Sequence, residues 1–173
     1  MGDMAEDRVY DDDDGTTEVV IAAGVGIVSV SVSGDHIGRF GVAHRCSPRD
    51  VAADDAVLAV ATDEDILLRE EGEFVPTGFG QAVAVGVHEG TVIGADDDGR
   101  IARFGDAWTD VDAVGASVRA IDGPLLATDD GVYRIRDGEG SGTIRSTGLE
   151  TANDVAARGP FAATDAGLYT LGN

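Results

Sequence analysis

Lysine is missing from the 173 residues of this chain, so all 12 basic residues are arginine. Aspartate and glutamate together number 33, which leaves a formal net charge of -21 at pH 7. In dilute buffer this much like charge would push a compact chain apart, but at molar salt the screening length falls to about 3 Å. Acidic, lysine-free compositions are typical of haloarchaeal proteins. We therefore expect a protein of a halophilic archaeon that works in high KCl.

The chain also lacks basic clusters, long apolar runs and a leader-like start. Nucleic acids and anionic membranes bind basic patches, whereas the arginines here are scattered along the sequence. No apolar run reaches the ~18 residues that a membrane-spanning helix needs, and the N-terminus has no basic-then-apolar pattern. The sequence therefore predicts a cytoplasmic protein whose partners are neither nucleic acids nor membranes.

Residues that bind metals in recognisable patterns are scarce. Cys46 is the one cysteine, so no disulfide can form within the chain. Three histidines complete a set of nitrogen and sulfur donors that shows no zinc-binding spacing. The acidic run Asp96–Asp98 lacks the ligand spacing of an EF-hand calcium loop. We expect no metal and no cofactor.

What the sequence does contain is a repeated hairpin. Five segments each run from an apolar strand through a short, mostly acidic turn into a second apolar strand: VVIAAGVGIVSV, VLAVATDEDILL, TVIGADDDGRIARF, PLLATDDGVYRI and PFAATDAGLYTL. Glycine in the turn can take a positive φ, which tight hairpins require. Successive turn positions lie 32 to 39 residues apart, and they are Gly26, Asp65, Gly99, Gly131 and Gly167.

Further short strands flank the hairpin in most units. A strand of small residues precedes it, as at Val118–Ile121, and another strand follows it, as at Trp108–Val111. Each unit thus predicts four strands in about 35 residues, and radial repetition of such units is typical of a β-propeller. We predict an all-β propeller of four and a half to five blades over residues 17–173. An acidic, partly flexible segment would precede it at residues 1–16.

Some alternatives remain open at this point. Residues 49–71 are rich in helix formers and could instead form an amphipathic helix. Arg8–Tyr10 could be the innermost strand of the first unit or a strand that closes the last unit. That last unit lacks a fourth strand. Either Arg8–Tyr10 closes that unit, or the chain is a truncated piece of a longer propeller, or the open edge at Leu168–Leu171 pairs with a second copy.

The apolar run that enters Gly24-Val25-Gly26 resembles the start of a G-x-G-x-x-G phosphate loop. A dinucleotide site would need a helix to open at Gly26 and a third glycine three residues later. Here Ser29 takes that place, and IVSVSVS alternates as a strand does. We therefore interpret the two glycines as a hairpin turn.

Several motifs resemble a haloarchaeal β-propeller family of unassigned function. The matching segments include GRFGVAHRCSPRDVAADD, PTGFGQAVAVG, LLATDDGVYRI and ATDAGLYTLGN, and the resemblance covers nearly all of the chain from Arg8 onward. These are motifs of strands and turns, so they imply architecture and lineage and carry no catalytic residues. Because members of that family are longer, the resemblance also implies a truncated member.

The geometry of a propeller suggests one candidate site. The starts of the innermost strands line the mouth of the central channel, and Asp50 and Asp154 stand at equivalent starts. Arg119 aligns with Val51, Val83 and Val155 in the other units, so it is an unusual charge there. We predict a non-enzymatic binding or scaffold module that meets a protein partner through its loop face or its open edge strand. The alternative is a ligand-sensing or hydrolytic propeller with a site formed by Asp50, Arg119 and Asp154.

Overall fold

The fold consists of antiparallel strands joined by short turns. The computed structural model describes residues 15–136 and 142–172, which form 18 strands in five sheets. In chain order the strands are β1 (Thr17–Ala23), β2 (Gly26–Ser33), β3 (His36–His44), β4 (Pro48–Ala53), β5 (Leu58–Thr62), β6 (Ile66–Glu70), β7 (Glu73–Pro76), β8 (Ala84–His88), β9 (Thr91–Ala95), β10 (Arg100–Phe104), β11 (Trp108–Ala113), β12 (Val118–Asp122), β13 (Leu125–Thr128), β14 (Gly131–Arg136), β15 (Thr143–Ser146), β16 (Asp154–Ala156), β17 (Phe161–Thr164) and β18 (Gly167–Thr170).

Each sheet is one propeller blade built from consecutive strands. The five sheets are β1–β3, β4–β7, β8–β11, β12–β15 and β16–β18. The innermost strands of neighbouring sheets pack side by side, β4 with β8, β8 with β12 and β12 with β16, while β1 packs on β4. The all-β prediction is confirmed. Within the described ranges, no helix is long and apolar enough to cross a membrane.

The helix considered for residues 49–71 is wrong. This segment forms most of β4 and all of β5 and β6. The strand β5 is buried on both faces, because Val60 faces the first sheet while Ala59 and Ala61 face the third. A helix presents one apolar stripe and could not fill two interfaces at once. Tertiary packing therefore outweighs the helix propensity of the segment.

The hydrophobic core lies between successive sheets. We call the face that packs on the following sheet the front face and the face that packs on the preceding sheet the rear face. Ile93 and Ile101 on the front face of the third sheet, for example, pack against Leu126 and Ile135 on the rear face of the fourth. Equivalent apolar clusters join the first sheet to the second, the second to the third and the fourth to the fifth.

A threonine closes three of the hairpin turns and fixes the structural alignment of the units. The Oγ1 hydroxyl of Thr62 donates to the carbonyl of Asp65 at 2.7 Å. In the same way Thr128 donates to Gly131 at 2.9 Å, and Thr164 donates to Gly167 at 3.0 Å. The alanines that precede these threonines, Ala61, Ala127 and Ala163, therefore occupy equivalent positions.

Glycine at the hairpin turn is required where an outermost strand ends against it. Gly26, Gly99 and Gly131 all have positive φ, and a Cβ built on each would lie 1.9–2.3 Å from a carbonyl oxygen. The contacting carbonyls belong to His44, Val114 and Leu149, respectively. Gly167 has the same kind of φ, +138°, but no atom lies within 4 Å of the added Cβ. The difference arises because β18 is the last strand of its sheet.

Two sheets have three strands in the part of the chain that the structure describes. The fifth sheet lacks an outermost strand after β18, as the sequence predicts. Gly26, in the turn after β1, corresponds to Gly99 after β9 and to Gly131 after β13. In the first sheet β1 is therefore the second strand counted from the centre, and the innermost position is the one that no described strand fills. Arg8–Tyr10, the predicted candidate for that position, lies outside the described residues.

Candidate functional site

Asp50 and Asp154 occupy equivalent positions on the innermost strands. Asp50 pairs across the sheet with Ala61, and Asp154 pairs with Ala163. The two paired alanines are equivalent because each precedes a turn-closing threonine. The sequence therefore placed the two aspartates correctly relative to each other.

Arg119 is not the one charged residue at its position among the blades, and its predicted alignment with Val51 and Val155 is wrong. The pairing register skips Arg119 between Val118 and Ala120, and it skips Arg49 in the same way between Pro48 and Asp50. Arg49 is thus the structural counterpart of Arg119. Val51 and Val155 lie two positions further along, opposite Val60 and Ala162. The local irregularity breaks the simple periodicity on which the alignment rested.

Arg49 connects the second blade to the third, and Arg119 connects the fourth blade to the fifth. Nη1 of Arg49 donates to the carbonyl of Ala82 in the third blade at 3.2 Å. Nη1 of Arg119 donates to the carbonyl of Ala152 at the start of the fifth blade, also at 3.2 Å, and it bonds the Asn153 side chain as well. The matching partners indicate that both guanidinium groups stabilise the contact between neighbouring blades.

Asp50 connects the second blade to the third. Its Oδ1 accepts a hydrogen bond from the backbone N–H of Val51 at 2.9 Å, and its Oδ2 accepts one from Val85 in β8 at 3.0 Å. Burial raises the pKa of the Asp50 carboxyl, the two backbone hydrogen bonds oppose that shift, and the charge of Asp154 adds to it.

Within the described residues, Asp154 makes only the first of these two hydrogen bonds. Its Oδ1 accepts from the backbone N–H of Val155 at 2.9 Å. The structure gives it no counterpart to Val85, because no sheet follows the fifth within the described residues. The hydrogen bonds of Asp50, Arg119 and Asp154 thus run to the backbone or to Asn153, and none joins two of the three predicted site residues.

The first sheet exposes a continuous apolar surface, which we call the rear end face. Cross-strand pairing aligns its side chains in rows, Ile21–Val28–Val42, Val19–Val30–Phe40 and Val32–Ile37. These side chains point away from the second sheet, since the alternate residues Val20 and Ile27 pack against that sheet. The side chains of Ile37 and Phe40 are each 75% exposed. No described sheet covers this face.

The front face of the fifth sheet is also exposed, and we call it the front end face. Its side chains are Asp154, Ala156, Phe161, Ala163, Leu168 and Thr170. They point away from the fourth sheet, against which Val155 and Ala162 pack. Leu168 is 69% exposed, and a concavity of about 100 Å³ lies between Asp154, Phe161 and Leu168.

Sequence reasoning identified the open edge at Leu168–Leu171 but missed the rear end face. The signal was present in IVSVSVS, where valine and serine alternate. Alternation predicts one apolar and one polar face, and the expectation would be that valine points into the core. Here Ser29 lies on the inner side and hydrogen-bonds Glu18, whereas Val28 and Val30 point outward. The apolar face is therefore the uncovered one.

No metal centre is formed in the part of the chain that the structure describes. No group of three or more histidine, cysteine, aspartate or glutamate side chains there is arranged to hold a metal ion. Burial raises the pKa of the Cys46 thiol, with nearby Asp63 and Glu64 adding to the shift. Cys46 packs beside the core between the first two sheets.

Sequence comparison decides the family. The profile of the HVO_0234-like beta-propeller family matches residues 3–173. The chain belongs to this family. The resemblance stated from the blade motifs is thereby confirmed, and this family has no assigned function. No curated protein matches the chain in sequence.

Solved structures confirm the fold of this family member. PorZ, a surface component of the type-IX secretion system of Porphyromonas gingivalis, is similar with a TM-score of 0.64 and 16% identity over 87% of this chain. Hsv2p of Kluyveromyces lactis has a TM-score of 0.56 with 11% identity over 91% of this chain. The extracellular domain of BT4673 from B. thetaiotaomicron has a TM-score of 0.51 with 14% identity over 92%. The chain spans 23%, 60% and 26% of these three proteins, respectively.

Proposed function

We propose that this chain is a non-enzymatic protein-binding module of a halophilic archaeon that works in the cytoplasm at molar KCl. One observation carries the proposal, namely the apolar rear end face on a chain of net charge -21. Contiguous exposed apolar patches on soluble proteins commonly mark interaction sites. High salt supports such contacts because it screens the repulsion between acidic partners.

The composition supports the remaining parts of this proposal. The absence of lysine and the excess of 33 acidic over 12 basic residues fit a cytoplasm rich in KCl. The same charge disfavours nucleic acids and anionic membranes as partners, because both attract basic surfaces. An apolar protein surface is the partner that fits the rear end face.

Co-purification from a halophilic host at native salt tests the proposal. The tagged wild-type chain is compared with Phe40→Asp, which places a charge in the middle of the rear end face, and with Val25→Asp. Val25 is 61% exposed but lies in the β1–β2 turn, so it provides a matched control. We expect specific proteins, or untagged copies of the chain, to be retained by wild type and Val25→Asp and lost with Phe40→Asp. Retention of nothing, or equal retention by all three, would contradict the proposal.

The second candidate is a ligand-sensing or hydrolytic propeller with its site at the channel mouth. It is favoured by the raised pKa of the Asp50 carboxyl, to which the charge of Asp154 contributes. Against it stands the use of Asp50 and Arg119 in contacts between blades. A survey of small molecules by thermal shift tests it. A ligand that stabilises wild type but not Asp154→Asn would favour this function, since that substitution leaves the described interfaces between blades intact.

A further inference from the structure

Negative charge is distributed unevenly among the blades. The second blade, residues 48–76, contains nine acidic and two basic side chains, and the third blade, residues 84–113, contains seven acidic and two basic ones. Each of the other three blades has one more acidic than basic residue between the start of its first strand and the end of its last. Repulsion between neighbours is therefore strongest where the second and third blades meet, and it grows when salt is diluted because screening weakens.

The segment Thr77–Gly80 between these two blades, which we call the strap, is fixed by one carboxylate. The backbone N–H of Phe79 donates to Oδ1 of Asp65, and the N–H of Gly78 donates to Oδ2, both at 2.9 Å. The N–H of Gly80 also donates to Oδ1, at 3.3 Å. Successive N–H groups that converge in this way form a concavity that binds anions. Here the carboxylate of Asp65 fills it, so this acid is not simply a solvated surface charge.

The strap in turn holds the third blade, to which Arg100 and Trp108 belong. The Phe79 ring is 8% exposed and packs edge-on against the indole of Trp108, with 4.6 Å between the ring centroids. The guanidinium carbon of Arg100 lies over the Phe79 ring, 4.7 Å from its centroid. Nε1 of Trp108 donates a hydrogen bond to Oγ1 of Thr77 at 3.1 Å. Ring packing and neutral hydrogen bonds of this kind do not depend on the screening of charge.

The fourth blade shows the same connection without the carboxylate. Gly131 stands there at the position of Asp65, since a threonine hydroxyl donates to the carbonyl of each. The segment that follows the fourth blade begins alike, because Oγ1 of Thr147 donates to a carbonyl of β14 at 3.0 Å, as Oγ1 of Thr77 donates to a carbonyl of β6 at 2.8 Å. Gly131 offers no carboxylate to this segment, and Leu149 takes the place of the aromatic residue.

We propose that Asp65 and the strap act as a clamp that holds the second and third blades together against their mutual repulsion when the salt concentration falls. The clamp reverses the usual effect of an acidic side chain in a protein of net charge -21. Removing an ordinary surface acid relieves repulsion and stabilises the fold at low salt. Removing the carboxylate of Asp65 releases the strap and destabilises it. This inference goes beyond the proposed binding function and does not depend on it.

Two neighbouring substitutions test the sign of this effect. Asp65→Asn and Glu64→Gln each remove one negative charge with little change in shape, and Glu64 is exposed. Circular dichroism during stepwise dilution of KCl gives the concentration at which half of each protein has unfolded. Relative to wild type, we expect this midpoint to move to lower KCl in Glu64→Gln and to higher KCl in Asp65→Asn. A lower or unchanged midpoint in Asp65→Asn would overturn the proposal.

The location of the effect is tested with Trp108, the one tryptophan of the chain, whose fluorescence reports on this junction. Phe79→Ala removes the ring of the clamp, and Leu149→Ala makes the matched change after the fourth blade. In wild type and Leu149→Ala, fluorescence and circular dichroism should change together as KCl is diluted. In Phe79→Ala the tryptophan should become hydrated at a higher KCl concentration than the one at which the circular dichroism is lost.

Coincident transitions in Phe79→Ala would show that the ring only adds stability to the whole fold, and the clamp would then be rejected. If Phe79→Ala does not fold even in molar KCl, Phe79→Leu, which copies the residue of the fourth blade's segment, replaces it in the same comparison.

Discussion

The first and fourth sheets contain the same hairpin in different surroundings. Leu126 in the fourth sheet is fully buried, whereas Ile21, at the equivalent position of the first sheet, is 44% exposed. Both are large aliphatic residues on a rear face, and both follow the same strand pattern. Burial in this molecule is therefore decided by the neighbouring blade and not by the local sequence. The same contrast separates the interior from the ends at the turn glycines and at the inner-strand aspartates.

The largest expected effect comes from truncating this matched pair. Leu126→Ala removes buried methyl groups and leaves a cavity, so it should lower the free energy of unfolding by about 2–5 kcal/mol. Ile21→Ala removes partly hydrated groups and should cost less than about 1 kcal/mol at protein concentrations too low for association. Denaturant unfolding in molar KCl measures both. Equal costs would mean that the rear end face is covered in solution even in the monomer.

The turn glycines give the next largest contrast. Gly131→Ala places a Cβ 1.9 Å from the carbonyl oxygen of Leu149 and also strains a φ of +130°. Gly167→Ala meets only the strain of φ, at +138°, because the space around it is open. Backbone strain of this kind costs about 1–3 kcal/mol, and we expect Gly131→Ala to exceed Gly167→Ala by at least about 1 kcal/mol. Thermal unfolding of the two variants side by side checks the difference.

Substitution of Arg49 and of Arg119 should lower the free energy of unfolding by similar amounts. Arg119→Ala and Arg49→Ala each remove a half-exposed hydrogen bond to a carbonyl of the next blade, so each should cost about 1 kcal/mol of unfolding free energy. Similar values would support their structural equivalence. A cost for Arg49→Ala with none for Arg119→Ala would instead favour a ligand-binding role for Arg119. Chemical denaturation at one fixed salt concentration measures the free energy of unfolding of both variants.

The smallest expected effect is a pH dependence that arises from Asp50. Its pKa is raised on folding, mainly by burial, so folding favours the protonated form. The contribution of this carboxyl to stability is thus fully present below its ordinary pKa of 3.8 and is lost as the pH rises through the higher value of the folded state. The stability of wild type relative to Asp50→Asn should therefore fall as the pH rises above 3.8. Denaturant titrations of both proteins across this range give the difference, and a rising difference would contradict the assignment.

Most of the fold could be predicted from the sequence, for identifiable reasons. Acidic turns that end in glycine recur in the hairpins, and the threonine before three of them closes the turn through its own hydroxyl. The segment 49–71 remained open because its helix propensity competes with a strand pattern that only packing on both faces resolves. Local patterns specify strands and turns, whereas propensity alone is a weak guide in a buried segment.

The candidate site could be predicted only in part. The equivalence of Asp50 and Asp154 was visible, since both precede a valine and small residues. The counterpart of Arg119 was not, because an irregular strand start shifts the register at Arg49 and at Arg119 alike. The hydrogen bonds from these residues to the next blade join positions more than 30 residues apart, such as Asp50 and Val85. No single repeat contains that information.

The strands, the turns, the repeat length and the acidic character of this protein follow from its sequence, because each depends on residues close together in the chain or on composition. Which face of each strand is covered depends on the packing of the blades, since a face is buried where another blade lies beside it. The run IVSVSVS illustrates the limit. Its alternation specifies two faces, but only the packing of Val20 and Ile27 on the second sheet shows that the valine-rich face is turned outward.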